Sequence, residues 1–171
     1  MVNKPPILNL ADVVPQPLAP NRAPQGEKAK RFAPRMGEVS AQIGARLLGY
    51  SVTALAPGKR AFPLHSHRVN EEMFLVLEGR GEVRIGPDTF PIRQGDVIAC
   101  PPGGPETAHQ IINTGNSEMR FLGVSTNLSP EIVEYPDSRK IGVRVFGGDE
   151  SAYTLRLNLR DGHDVDYWEG E

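Results

Sequence analysis

The chain has 171 residues, a length that suits one compact domain or one domain with arms. Its 19 basic and 21 acidic residues nearly balance, which argues against the strong basic excess typical of nucleic-acid binders. Its 18 glycines and 16 prolines disfavour a helical bundle and favour many short strands joined by turns.

The first forty residues are predicted to form an irregular arm, because prolines interrupt them and no helical or strand period persists. Seven of the sixteen prolines lie there, and the last eleven residues are acidic. Both ends can be solvated tails. Alternatively, they dock on the domain or on a second subunit, with Tyr167 and Trp168 as anchors. The predicted regions are therefore an arm (1–40), a barrel core (41–128) and C-terminal strands with an acidic tail (129–171).

The cellular compartment is indicated by what the sequence lacks. Cys100 is the only cysteine, so no intrachain disulfide can form, which fits a reducing compartment. The first thirty residues contain no apolar run of signal-peptide length, and no stretch approaches the length needed to cross a bilayer. We therefore expect a cytoplasmic protein with neither a membrane nor a nucleic acid as partner.

Short apolar or alternating runs, each ended by a turn rich in glycine, proline or asparagine, follow from residue 47 onward. Their regular spacing predicts an all-β fold, either a sandwich or a barrel. The predicted strands are 47–56, 73–77, 82–85, 89–92, 96–100, 109–112 and 119–125, followed by a pair at 141–146 and 152–159.

The run Met-Phe-Leu-Val-Leu at 73–77 is apolar on both strand faces, whereas a strand with one wet face should alternate. Both faces must therefore be covered, one by the barrel core and the other by the arm or by a second subunit. A homodimer is the more economical explanation, since packed sheet faces are common oligomer interfaces.

Two histidines separated by one residue, His65 and His67, form the centre of a candidate metal site. On an extended strand they project from the same face, with Ser66 on the other. Glu72 opens the next strand as a carboxylate at the edge of an apolar run, which is costly unless it is paired or bound to metal. His109 opens a further strand. Three imidazoles and one carboxylate suit a first-row divalent metal with one or two open positions.

Glu71 is the alternative to Glu72 as the carboxylate ligand, because the two are adjacent. Strand parity favours Glu72, which shares a face with Phe74 and Val76 while Glu71 falls in the turn. A histidine pair alone is a weak metal signal, and a single histidine on an apolar strand is usually a hydrogen-bonded core residue.

The spacing of these residues resembles the first motif of the cupin family: Gly, five residues, His-x-His, three or four residues, Glu, six residues, Gly. Gly58, His65, His67, Glu72 and Gly79 follow this order, with six residues instead of five after the first glycine. The resemblance implies a double-stranded β-helix, the cupin jelly-roll barrel, with the metal inside.

The second cupin motif is also present, and its histidine completes the implied ligand set. Gly95, Pro101, Gly103, His109 and Asn113 follow it, with five residues instead of two between the second glycine and the histidine. The resemblance implies one divalent transition metal (Fe, Mn, Ni, Zn or Co) held by four ligands: His65, His67, Glu72 and His109.

The downstream pieces 134–140 and 167–171 resemble a subgroup of small single-domain bacterial cupins often given the name sugar-phosphate isomerase. Cupins include isomerases, dioxygenases, decarboxylases, lyases and non-catalytic binders, so the fold does not decide the reaction. We expect a metal-dependent enzyme for a small polar metabolite, either isomerase-like or dioxygenase-like. The alternative is a non-catalytic module that binds or senses a small molecule.

Several apolar residues are candidates for the walls of a pocket, although such side chains are more often ordinary core residues. Three arginines could bind an anionic ligand in such a pocket. The simpler interpretation is that they are ordinary surface residues. The apolar candidates are Phe62, Phe74, Ile111 and Phe121, and the arginines are Arg60, Arg80 and Arg120.

Overall fold

Several strands of this protein end at turns that contain glycine or proline. The computed structural model describes residues 5–146, 153–160 and 169. Its strands are β1 (Gln16–Pro17), β2 (Arg35–Glu38), β3 (Leu48–Leu55), β4 (Ser66–His67), β5 (Glu72–Glu78), β6 (Arg80–Ile85), β7 (Asp88–Arg93), β8 (Val97–Cys100), β9 (His109–Ile112), β10 (Met119–Thr126), β11 (Glu131–Tyr135), β12 (Lys140–Phe146) and β13 (Tyr153–Arg160). Its helices are α1 (Glu27–Arg31) and α2 (Ser40–Ile43), with 3-10 turns at Leu10–Asp12, Pro105–Thr107 and Pro136–Ser138.

Each of the nine predicted strands is present, with its bounds within two residues of the prediction. Gly79 shows why the turns fall where they do: its φ of +83° lies in the left-handed region, and a Cβ there would meet the carbonyl oxygen of Glu118 at 2.9 Å. The four strands not predicted are β1, β2, β4 and β11, which are short or lie beside prolines, so no period marks them.

The strands form three antiparallel sheets, and the six-stranded and three-stranded sheets enclose the main apolar core. The sheet orders are β1-β2-β3-β10-β5-β8, β13-β12-β11-β4 and β7-β6-β9. The core between them contains Leu55, Val76, Val83, Ile111 and Phe121, each at most 3% exposed. This arrangement confirms the predicted all-β fold, a double-stranded β-helix.

The described part of the N-terminal arm packs on the barrel. Strand β2 pairs with β3, and Val13 and Val39 bury themselves against Val52. Leu77 of the 73–77 run packs against this cluster, so the chain's own arm covers part of the outer side of β5. Met73 and Leu75 remain partly exposed.

The sheet β13-β12-β11-β4 has two chemically different faces. Its inner face continues the barrel wall beside His67 and presents Glu131, Val133, Tyr135, Lys140, Arg144, Arg156 and Arg160. Its outer face presents Ile132, Ile141, Leu155, Leu157 and Leu159, each 41–46% exposed. The predicted anchors Tyr167 and Trp168, and His163 of the acidic tail, lie outside the described residues. In the part of the chain that is described, every helix is too short or too polar to cross a membrane.

Candidate metal centre

His65, His67 and His109 lie close together because the short strands β4 and β9 are adjacent at this end of the barrel. His65 and His109 exchange backbone hydrogen bonds, with His109 N donating to His65 O over 2.8 Å and His65 N donating to His109 O over 3.2 Å. His67 lies two residues further, on β4, and so projects from the same face. Glu72 opens β5. The strands therefore place three imidazoles and one carboxylate together.

The three histidines all direct Nε2 at the same oxygen, Glu72 Oε2. The distances from this oxygen are 2.8 Å to His109, 3.5 Å to His67 and 3.9 Å to His65. The four ligand atoms lie within 4.8 Å of one another. Glu71 faces away with an exposed side chain, while its backbone N donates to Thr126 Oγ1. Of the two adjacent glutamates, the structure brings only Glu72 into the cluster.

The second ring nitrogen of each histidine faces an acceptor, which fixes the direction of Nε2. Nδ1 lies 2.9 Å from the carbonyl oxygen of Pro63 in His65 and 3.4 Å from that of Thr107 in His109. A carbonyl can only accept, so these Nδ1 atoms hold the proton. His67 Nδ1 instead faces a carboxylate, 3.6 Å from Glu131 Oε2. Such outer partners orient the ring and set the tautomer of a metal-binding histidine.

Burial and neighbouring charges set the protonation states of the cluster. Burial, and after it the neighbouring His109 imidazole, lowers the pKa of His65 to about 4. Burial opposes protonation of His67, but the carboxylates of Glu131 and Glu72 raise its pKa to about 9. Burial would also raise the pKa of Glu72, yet its contact with His109 Nε2 and the charge of the neighbouring His67 hold that pKa well below its usual range. At neutral pH the cluster therefore has an ionised carboxylate, a neutral His65 and a protonated His67.

The residues present fit a divalent transition metal. Both ring nitrogens of His67 are buried without a hydrogen-bond partner among the described residues, an arrangement that is costly for a polar atom. A cation between the ring nitrogens and Glu72 would satisfy His67 Nε2. Imidazole nitrogen with carboxylate oxygen suits Zn, Fe, Ni and Mn, so the donor set is compatible with such a metal and does not decide which one.

A small, mostly apolar cavity adjoins the cluster. Its lining includes all four apolar residues that the sequence predicted, which are Phe62, Phe74, Ile111 and Phe121. The other lining residues are Ala61, His65, His109 and Gln110. Of the three candidate arginines, only Arg60 contacts this lining, through a 3.4 Å hydrogen bond from Nη1 to Gln110 Oε1. Arg120 pairs with Glu78 instead, and Arg80 lines a separate surface cleft.

Two residues that contact the cluster were not predicted from the sequence. Glu131 is only 2% exposed and faces His67, and the ring of Tyr135 stacks on His65 with centroids 6.1 Å apart. Both belong to β11, which lies between prolines at 130 and 136. The β-favouring residues Ile132, Val133 and Tyr135 were the available signal for this strand.

Comparison with known proteins gives consistent results. A cupin domain model matches residues 51–125. The oxalate-binding protein of Thermotoga maritima is 28% identical over 118 residues, which cover 69% of this chain and 91% of that protein. An uncharacterized protein of Methanocaldococcus jannaschii is 36% identical over 69 residues, 40% of this chain, and this match spans only 53% of the archaeal protein.

Solved structures show the same fold over most of the chain. A sugar phosphate isomerase of the cupin superfamily from Silicibacter pomeroyi has a TM-score of 0.75 and 23% identity, with 95% of this chain and 98% of that one covered. A provisionally named sugar phosphate isomerase from Acidithiobacillus ferrooxidans has a TM-score of 0.66 and 25% identity, with 78% of this chain and 81% of that one covered.

Proposed function

Because this chain belongs to the cupin superfamily, with its cupin domain at residues 51–125, we propose that it is a metal-dependent enzyme acting on a small polar metabolite. The proposed ligands of one divalent transition metal are His65, His67, Glu72 and His109. The observation that supports this most is the convergence of three Nε2 atoms on Glu72 Oε2. Such a metal polarises a substrate carbonyl or hydroxyl as a Lewis acid.

An isomerase-like reaction is the first candidate, with a dioxygenase-like reaction as the second. The Acidithiobacillus relative, 25% identical, supports the first through its provisional name of sugar phosphate isomerase. In either reaction Phe62, Phe74 and Phe121 would exclude water from the cavity, and Gln110 offers a polar side chain in its lining besides the two histidines. The alternative of a non-catalytic binding module is favoured by the Thermotoga relative, whose name is oxalate-binding protein.

A substrate panel with metal-loaded protein tests the choice between these functions. Interconversion of an aldose phosphate and its ketose form supports an isomerase, and oxygen uptake with the Fe(II) form supports a dioxygenase. Saturable oxalate binding without turnover of any compound supports the binding module. Absence of both turnover and ligand binding in fully metal-loaded protein would contradict the proposed function.

Metal affinity is expected to rise with pH up to about 9. His67 is protonated below its raised pKa of about 9, and a metal must displace that proton to bind Nε2. His65, with a pKa of about 4, is already neutral and releases no proton near pH 7. The displaced proton makes the apparent association constant increase about tenfold per pH unit between pH 7 and 9. Competition titration with Mn(II) measures this association constant at each pH. A constant that does not change between pH 7 and 9 would contradict the assignment of His67 as a metal ligand.

We also propose that the protein is a homodimer that buries the outer face of β11, β12 and β13. The five exposed aliphatic residues of that face leave roughly 400 Å² of apolar surface, the size of the largest patch on a typical monomer, which is often functional. The five aliphatic side chains, which the Glu134–Arg68 ion pair borders, form an apolar patch that is complementary to itself across a two-fold axis, so a second copy is the occupant that it fits. The patch is large enough to form the apolar core of a standard interface.

Replacing Leu157 by glutamate is expected to convert the dimer to a monomer, because it places two charges in the buried apolar interface. Light scattering at micromolar concentration should fall from twice 18.7 kDa to that mass. Val97→Glu is the matched control, since Val97 is 66% exposed on β8 beside Leu75 of the 73–77 run. If Val97→Glu breaks the dimer instead, the interface is the outer side of β5. A monomeric parent protein would contradict the homodimer altogether.

A further inference from the structure

Cationic side chains form a row on the inner face of the β11–β13 sheet. Tyr135 on β11 is the cross-strand partner of Lys140 on β12, and Lys140 is the partner of Arg160 on β13. Residues directly opposite one another in antiparallel strands place their side chains on the same face. The three side chains therefore follow one another across the sheet, starting from the barrel.

This row begins at the metal centre. The ring of Tyr135 stacks on the ring of His65, with an interplanar angle of 20° and centroids 6.1 Å apart. The ammonium of Lys140 lies 4.7 Å from the centroid of the Tyr135 ring, within cation–π range. Lys140 Nζ is therefore no more than roughly 11 Å from the His65 ring. A cation thus lies within the length of a small metabolite of His65, one of the proposed metal ligands.

The positive charge of this row is not neutralised by the described part of the chain. Lys140 and Arg160 have no salt bridge to any described carboxylate, whereas Arg35, Arg68 and Arg84 each pair with one. Partial burial, together with the charges of Arg160 and Lys28, lowers the pKa of Lys140. Like charges brought together repel, and a bound anion would relieve that repulsion.

We propose that Lys140 and Arg160, beside Tyr135, form a binding site for the anionic group of the substrate, a phosphate or a carboxylate remote from the part that reaches the metal. This inference rests on the proposed function, because the metal centre binds the other end of the same molecule. The separation determines which anions suit the site. At a separation near that upper bound, oxalate, whose two carboxylates are directly bonded, is too short to reach both ends. A phosphorylated sugar or a longer hydroxy acid can span them.

Titration of metal-free protein with inorganic phosphate, followed by ³¹P NMR, tests the site without the metal. Saturable binding is expected, and Lys140→Ala and Arg160→Ala should each weaken it about tenfold, because each removes one charge-assisted hydrogen bond. Lys140→Arg should retain most of the binding, since it keeps the charge. Competition by acetate at matched concentration distinguishes the two anions: strong displacement indicates a carboxylate site, and weak displacement a phosphate site.

Arg93→Ala is the control for a competing location, since Arg93 and Arg80 line an exposed cleft elsewhere on the surface. Loss of phosphate binding in Arg93→Ala, or unchanged binding in both Lys140→Ala and Arg160→Ala, would overturn the inference. Mn(II) affinity is measured on the same proteins and should not change. A parent protein that binds Mn(II) but no anion contradicts this inference alone. One that binds phosphate but no metal contradicts the proposed function alone.

Discussion

Replacement of His65 by alanine is expected to abolish metal binding. His65 Nε2 faces Glu72 Oε2, and its Nδ1 lies 2.9 Å from the carbonyl oxygen of Pro63, which orients the ring toward the cluster. Removing one of four ligands leaves two imidazoles and a carboxylate. The variant should bind no Mn(II) at concentrations that saturate the parent, and its melting temperature should not rise when metal is added.

Two adjacent glutamates provide the matched control for this result. Glu72→Gln removes the charge on which the three Nε2 atoms converge and should also abolish binding, whereas Glu71→Gln alters an exposed side chain and should bind metal like the parent. Circular dichroism of each metal-free variant verifies that it is folded. Full metal occupancy in folded His65→Ala, or equal losses in both glutamine variants, would contradict the assigned ligands.

Replacement of Glu131 by glutamine is expected to destabilise the metal-free protein and to weaken metal binding. Its carboxylate accepts hydrogen bonds from the backbone N atoms of Arg68, Val69 and Asn70 and from Asn70 Nδ2, and it faces His67 Nδ1. A glutamine amide directs an N–H group at some of these donors and leaves them unpaired in a buried place. The expected loss of unfolding free energy is about 3 kcal/mol.

The effect on metal binding follows from the lost orientation of His67. Without the carboxylate at Nδ1, the ring is neither held nor made more basic, and affinity for Mn(II) should fall about 10- to 100-fold. Glu134→Gln is the matched control on the same strand. Glu134 pairs with the half-exposed Arg68 on the other face, so its replacement should cost about 1 kcal/mol or less and leave Mn(II) affinity unchanged. Urea denaturation and metal titration measure both quantities. Equal behaviour of the two variants would show that Glu131 has no special role.

The sequence was sufficient for nine of the thirteen described strands and for the four clustered residues, for different reasons. Strands such as β6 and β7 have turn residues at both ends and an apolar period between them, so local chemistry specifies them. The spacing of His65, His67 and Glu72 is also local. His109 is 44 positions from His65, and only the second motif connected the two.

The parts that were missed depend on contacts between distant strands. Glu131 meets His67 from 64 positions away, and β4 has two residues, too few to show any period. Without β11, the cross-strand row from Tyr135 to Lys140 and Arg160 could not be anticipated. The apolar character of both faces of 73–77 was evident in the sequence, but its partial cover at Leu77 by the arm depends on how Val13 and Val39 pack.

Metal analysis of protein purified without a histidine tag tests the central claim most directly. We predict close to one divalent transition-metal ion per chain, retained through dialysis and absent from His65→Ala prepared in the same way. Less than about 0.1 ion per chain, with no rise in melting temperature on addition of Mn(II), Fe(II), Ni(II) or Zn(II), would contradict the metal centre.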